Sequence, residues 1–292
     1  MIRTVGLTKR YGERMALDDV SLVVPEGAVY GLVGQNGAGK TTLLGILAGL
    51  RRATAGDVSV AAPRERVAVL ADAPRFEPWL TGREVVRLAQ SLNDPGGDPE
   101  HADEVLEQAG LTEAAARRVG GYSRGMLQRL GVAATIVGRP RLLLLDEPAS
   151  ALDPQGRREV LDLLARLRGT ATVLFSSHIL SDVQEVCDTV GVLDHGRLRF
   201  QGPLDALLVG AAGPRYRVRL RGPAEPVADA LRALPWVTAV DADEPEWLTV
   251  GVRSWEEAEA RLPAALAAAG ARVVSLGPEE VSLERAFLAL TR

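Results

Sequence analysis

Gly34-Gln35-Asn36-Gly37-Ala38-Gly39-Lys40-Thr41 stands between an apolar run, Val29 to Val33, and a second run with helix-like spacing, Thr42 to Leu50. A strand, a glycine-rich turn and a helix in that order form a phosphate cradle. Glycines let the backbone take unusual φ/ψ and come close to an anion, so that its N–H groups meet phosphate oxygens. Lys40 is placed to reach the β- and γ-phosphates of a nucleotide, and the Thr41 hydroxyl to ligate Mg²⁺. Gly34, Gln35, Asn36, Gly37, Ala38, Gly39, Lys40, Thr41 and Thr42 are therefore the predicted nucleotide-binding residues. The choice of lysine is informative, because the chain has only Lys9 and Lys40 and otherwise uses arginine. A compact ammonium on a flexible stem suits phosphate where a planar guanidinium fork is not required.

A second constellation, Asp146-Glu147-Pro148, ends the apolar strand Leu142 to Leu145. In open α/β sheets ligands sit beyond the carboxyl ends of the strands, which is where this run delivers two adjacent carboxylates. Neighbouring side chains at a strand end point in different directions. Asp146 is thus expected to serve the metal and Glu147 to face an attacking water as its base.

The chain has 292 residues, 47% hydrophobic and 25% charged, enough for two domains. Its net charge of −4 gives no basic footprint for duplex DNA or RNA, so nucleic acid is not an expected partner. Cys187 is the single cysteine, which excludes an internal disulfide framework and any cysteine-based metal site, and suits a reducing compartment. The start, Met1-Ile2-Arg3-Thr4-Val5, lacks an apolar export signal, and no stretch reaches 18 apolar residues. A cytoplasmic chain is expected.

Strand and helix alternate along most of the chain. Ile2 to Leu7 and Val20 to Val24 read as strands, as does Val29 to Val33. Residues 81 to 137 become helical, opened by a capping box of Thr81 and Glu84 with Leu80 and Val85 placed as its hydrophobic staple; the breaker Asn93 to Pro99 divides two helices. Leu142 to Leu145 and Thr172 to Phe175 are buried strands joined by a helix, Gln155 to Arg168, as a parallel sheet requires. Beyond Gly202-Pro203 come helix-like Leu204 to Leu208 and a loop, Gly210 to Pro214.

With these runs in place, residues 1 to 202 resemble the ATP-binding-cassette (ABC) ATPases. Tyr122-Ser123-Arg124-Gly125-Met126-Leu127-Gln128-Arg129 is similar to the family's signature motif and precedes Leu142 to Pro148 at family spacing. Ala151-Leu152-Asp153 resembles the D-loop, and His178 the switch histidine. The resemblance implies an α/β fold: a P-loop nucleotide-binding core with an antiparallel β subdomain and an inserted helical subdomain at about 73 to 137, the whole ATPase domain spanning 1 to 210. It also implies a head-to-tail dimer, with each ATP between one subunit's phosphate loop and the partner's signature helix. Ser123, Arg124, Gly125 and Met126 would then act in trans, Asp153 at the D-loop, His178 on the γ-phosphate, and Tyr11 as an adenine stack.

Two departures carry information. The signature reads Tyr-Ser-Arg-Gly-Met where Leu-Ser-Gly-Gly-Gln is commonest, a variant similar to cassettes of ABC-2 type drug and antibiotic exporters. Their membrane subunit is a separate permease chain, which places this chain peripherally on the cytoplasmic face of the membrane. Asp72 stands at the Q-loop position where the family usually has Gln; a carboxylate accepts hydrogen bonds but cannot donate as an amide can. The following Arg75-Phe76-Glu77-Pro78-Trp79-Leu80 resembles the groove that receives a permease coupling helix, and equally suits a pin for the loop.

Residues 215 to 292 read as a separate small domain. Tyr216, Val218 and Leu220 alternate; Val227, Leu231 and Leu234 have helical spacing; Leu248, Val250 and Val252 alternate again. An Ala-rich helix through Ala269, a strand Arg272 to Leu276 and a terminal helix with Leu283, Phe287 and Leu290 follow. This is β-α-β-β-α-β plus a helix, a ferredoxin-like α+β arrangement. The final segment, Leu283 to Thr291, resembles the tails of drug-export cassettes. The rival readings are an importer cassette, a soluble ABC ATPase acting on nucleic acid or ribosomes, and a silent nucleotide-binding module. The signature variant and tail oppose the first, the lack of a second cassette or long coiled coil the second, and the intact Lys40, Asp146, Glu147 and His178 the third.

Overall fold

In the computed structural model, residues 1–207, 214–279 and the single positions 287 and 290 are described. The chain forms two compact units, Met1–Leu204 and Asp205–Arg292. Among the described residues no helix is long and apolar enough to cross a membrane. The expected loop Gly210 to Pro214 lies outside the described residues except for Pro214, as does the terminal helix apart from Phe287 and Leu290.

The first unit opens with β1 (Ile2–Tyr11), β2 (Arg14–Val20) and β3 (Val23–Val24). Next come β4 (Val29–Val33), α1 (Lys40–Leu47), β5 (Ala55–Val60) and β6 (Val67–Leu70). Three helices follow: α2 (Gly82–Asn93), α3 (His101–Gln108) and α4 (Arg124–Ile136). The chain then returns to sheet through β7 (Leu142–Asp146), α5 (Pro154–Arg166), β8 (Thr172–Ser177), α6 (Leu180–Val186), β9 (Thr189–Asp194) and β10 (Arg197–Pro203).

β1, β2, β3 and β5 make an antiparallel sheet, with β1 paired to all three others. The other six strands form the main sheet in the order β10-β9-β4-β8-β7-β6. Only β10 runs antiparallel to its neighbour. Because β4, β7 and β8 are buried at every residue, their sequences read as unbroken apolar runs and not as alternation. A shared core of Leu7, Leu17, Leu32, Leu43, Leu47 and Leu144, with others, spans both sheets and α1.

The helix starts follow their caps. Thr81 and Glu84 form the predicted capping box at α2. Ser123 accepts from the Met126 amide to cap α4, and Asp153 accepts from the Gly156 amide to cap α5, with Pro154 in its first turn.

At the N-terminus the strand bounds differ from expectation. The first strand continues to Tyr11 through register shifts at Leu7 to Arg10, and Val20 to Val24 is not one strand. β2 ends at Val20 and β3 starts at Val23. Between them the Leu22 amide and carbonyl bond to Thr4, and Ser21 accepts from the Gly6 amide.

The second unit is β11 (Arg215–Leu220), α7 (Glu225–Arg232), β12 (Val237–Glu244), β13 (Trp247–Val252), α8 (Trp255–Ala268) and β14 (Val273–Pro278). Its antiparallel sheet has the order β12-β13-β11-β14, the ferredoxin-like arrangement. Tyr216, Val218, Leu220, Leu248 and Val250 share a core with Leu231 of α7 and Leu262 and Leu266 of α8.

Candidate nucleotide site

The glycine loop runs from the end of β4 into α1, and each glycine has a specific constraint. Gly39 caps α1 at φ 111°, and a Cβ there would lie 2.5 Å from the Ala16 carbonyl oxygen. A Cβ at Gly34 would strike the Leu193 carbonyl oxygen, while Gly37 holds φ 86°. The Ala38 amide closes the loop on the Gln35 carbonyl at 3.1 Å. Beyond this turn the first N–H groups of α1 have no partner within the helix and suit an anion.

Lys40 is buried; its Nζ donates to the Gly34 carbonyl at 2.7 Å and lies 3.5 Å from Glu147 Oε1. Asp146 ends β7, also buried, and its Oδ1 accepts from Ser176 Oγ at 2.5 Å. Glu147 has φ 49°, a left-handed conformation that costs a non-glycine residue about 1–2 kcal/mol. Its Oε2 sits 2.8 Å from Nδ1 of His178, which follows β8. Cation, carboxylates and histidine therefore meet at the carboxyl ends of β4, β7 and β8.

An open pocket of about 400 Å³ extends from this cluster. Tyr11, Gln35, Asn36, Gly37, Gly39, Lys40, Thr41, Thr42, Asp72, Asp146 and Glu147 are among the residues that line it. Asp72 accepts from Ser150 Oγ at 3.3 Å, tying the segment after β6 to the one after β7. Tyr11 is 42% exposed, with Lys9 Nζ 4.7 Å from its ring centroid. Its hydroxyl accepts from Arg51 at 2.8 Å, and this hydrogen bond is the main reason its phenol pKa falls below the ordinary value.

The structure does not bring every predicted site residue to this pocket. Ser123, Arg124, Gly125 and Met126 are outside its lining, at the start of α4. Gly125 instead faces the Ala151-Leu152 stretch, and the Asp153 carboxylate is engaged in capping α5. Arg75 and Phe76 line a separate crevice along β6 with Pro74 and Gly131, while Trp79 is 63% exposed.

Five residues around the cluster were not singled out from sequence: Arg14, Ala16 and Arg51, which line the pocket, and Ser176 and Gln128, which hold Glu147. Ser176 had a signal, a polar residue closing the apolar run before His178. Gln128 had one too, as a polar residue midway along a helix. For the arginines no local pattern would have served.

Backbone donors, a buried ammonium, a hydroxyl and a paired carboxylate and histidine define a P-loop nucleotide hydrolase. Comparison with known proteins then places it. The ABC transporter family matches residues 17–150. The uncharacterized ABC transporter ATP-binding protein YxlF of Bacillus subtilis (strain 168) is 41% identical over 213 residues, 71% of this chain and 72% of that protein. Daunorubicin resistance ATP-binding protein DrrA3 of Streptomyces coeruleorubidus is 36% identical over 299 residues, covering 98% of this chain and 94% of its own. The dimeric post-hydrolysis structure of the ATP-binding cassette MJ0796, bound to ADP and Pi, superposes with a TM-score of 0.65 at 25% identity, over 70% of this chain and 99% of that one. The chain belongs to the ABC transporter ATP-binding proteins, and it binds and hydrolyses ATP.

Proposed function

We propose that this chain is the motor subunit of a membrane exporter, acting on a separate transmembrane permease from the cytoplasmic face of the membrane. A second copy of the chain completes its sites head to tail. Residues 1 to 210 serve as the ATPase domain, with 73 to 137 as the helical subdomain, and 215 to 292 as an accessory domain. The observation that carries the catalytic part is the contact of Glu147 with both Lys40 and His178 beside the glycine loop.

In this reading the loop amides and Lys40 bind the β- and γ-phosphates of ATP, and Tyr11 stacks on the base. Glu147 takes a proton from the attacking water, whose oxygen bonds to the γ-phosphorus as the bond to the β-phosphate oxygen breaks. His178 holds the γ-phosphate in line. Ser123 and the Gly125 amide, at the start of α4, meet the γ-phosphate bound by the partner, since helix N-termini favour anions. Their position outside this chain's own pocket agrees with a role in trans.

Thr41 and Asp146 are the residues that would hold Mg²⁺, as hard oxygen donors at the phosphate end of the pocket. Held there, Mg²⁺ would supply positive charge to offset that of the phosphates.

The export direction is supported by the signature variant and by the full-length match to a daunorubicin resistance protein. The crevice along β6, with Arg75 and Phe76, is the proposed permease contact. The test is to trap the ATP-bound dimer with Glu147→Gln and identify what copurifies from gently solubilised native cells. A polytopic membrane protein in stoichiometric amount is expected. Ribosomes or DNA complexes in its place would keep the ATPase and reject the exporter.

A further inference from the structure

Glu147 is pinned through its backbone as well as its side chain. A non-glycine residue in the left-handed region persists only where its surroundings over-determine it. Here the Glu147 N–H donates to Ser176 Oγ at 3.0 Å, and its carbonyl accepts from Gln128 Nε2 at 3.3 Å. The two side chains come from different elements, β8 and α4. Both are buried, Ser176 at 0% exposure and Gln128 at 1%, and a buried amide is costly unless it is hydrogen-bonded. α4 is also the helix that begins at Ser123 and Gly125. Five residues along it, or roughly 7.5 Å, Gln128 touches this chain's own carboxylate residue.

We infer that Gln128 is a positioning residue for hydrolysis: together with Ser176 it clamps the peptide groups of Glu147 and so ties the aim of the Glu147 carboxylate to the position of α4. This rests on the reading of Glu147 as the base. A displacement of α4, whose first turn serves the partner's ATP, is felt at Glu147 through the Gln128 amide. Each helix then connects the site it completes to the site it supports.

The experiment compares Gln128→Leu and Gln128→Glu with the unaltered full-length chain. Leucine removes the amide, and glutamate keeps the shape while replacing the donor by an acceptor. The expected result for both is a fall in kcat of about 10- to 100-fold, as for a misplaced reacting group. KM and the Kd for a fluorescent ATP analogue should stay within about twofold, since no ATP contact is assigned to Gln128. Ser176→Ala should likewise lower kcat, its loss including the Asp146 contact that the same hydroxyl makes, and Ser176→Thr, which keeps the hydroxyl, should retain activity, which keeps the test open if the Gln128 variants fold poorly.

The double variants separate this inference from the reading beneath it. Single-turnover measurements with labelled ATP make slow rates readable. In a Glu147→Gln background, Gln128→Leu should cost nothing further, because groups that act as one unit are not additive. An equal loss with and without Glu147, or a loss confined to KM, would overturn the positioning role. Normal turnover by Glu147→Gln alone would instead remove the base.

Discussion

Charge is arranged in opposite ways at the nucleotide site of the first unit and on the β11 face of the second. In the first, the Lys40 and Glu147 side chains are 7% and 13% exposed, and Glu147 stands in a left-handed conformation. In the second, β11 alternates buried Tyr216, Val218 and Leu220 with Arg215, Arg217 and Arg219. These arginines pair with Asp241, Glu244 and Glu246 at 3.3, 3.2 and 3.9 Å, on partners 44% to 57% exposed. The first arrangement raises local cost to hold chemical groups ready; the second satisfies a solvated sheet face. Function is therefore expected to fail from changes in the first unit, and stability from changes in the core of the second.

The sharpest contrast comes from Ser123→Arg. No contact of Ser123 with this chain's own pocket is present, and its hydroxyl caps α4. Turnover is expected to fall about 10²- to 10³-fold, as for loss of an oxyanion-type donor. ATP binding by the isolated monomer should be nearly unchanged. Steady-state hydrolysis and nucleotide titration read the two quantities separately, and unaltered turnover would break the trans assignment.

Next in size is Leu231→Ala, in the fully buried core of the second unit. The cavity should destabilise that unit by about 2–5 kcal/mol. Three of the chain's four tryptophans, Trp236, Trp247 and Trp255, lie there, so fluorescence during denaturant unfolding follows it closely. ATPase activity well below the transition should not change. A matching loss of kcat would show that the second unit regulates hydrolysis, and the contrast would have to be redrawn.

How legible each unit was in sequence follows from the same contrast. The caps at Thr81 and Ser123 are contiguous patterns whose bonds close within a few residues, and the glycine loop and Asp146-Glu147 are legible as short motifs that each end an apolar strand. The ferredoxin-like order was legible from alternation in β11 and β13. β12 was not located residue by residue, since Asp241, Asp243 and Glu244 interrupt its apolar pattern. β5 carries Gly56 and Asp57 and is largely exposed, so it too has no apolar signature. The hidden part of the site is tertiary: Gln128 is 19 residues from Glu147, Ser176 is 29, and Arg51 is 40 from Tyr11. No local spacing encodes such meetings. The two at Glu147 arise only when β7 and β8 pair and α4 packs nearby.

The smallest expected effect tests whether the second unit's charges are only a solvated face. Arg217 lies 4.4 Å from the Trp247 ring centroid and pairs with Glu244, their side chains 47% and 57% exposed. An exposed ion pair contributes about 0–1 kcal/mol, and an exposed cation–π contact about 0.5–1 kcal/mol. Arg217→Ala should therefore cost about 1 kcal/mol in denaturant unfolding. The ion-pair part should fade as salt rises and the Debye length shortens, whereas the Trp247 contact is less sensitive. Comparing Arg217→Ala with Glu244→Ala at low and high salt separates the two, because only the first removes the ring contact. A loss several times larger, or one indifferent to salt in both variants, would mean that this arginine row is held as tightly as Lys40. The sheet face would then belong with the first unit's buried charges and not in contrast to them.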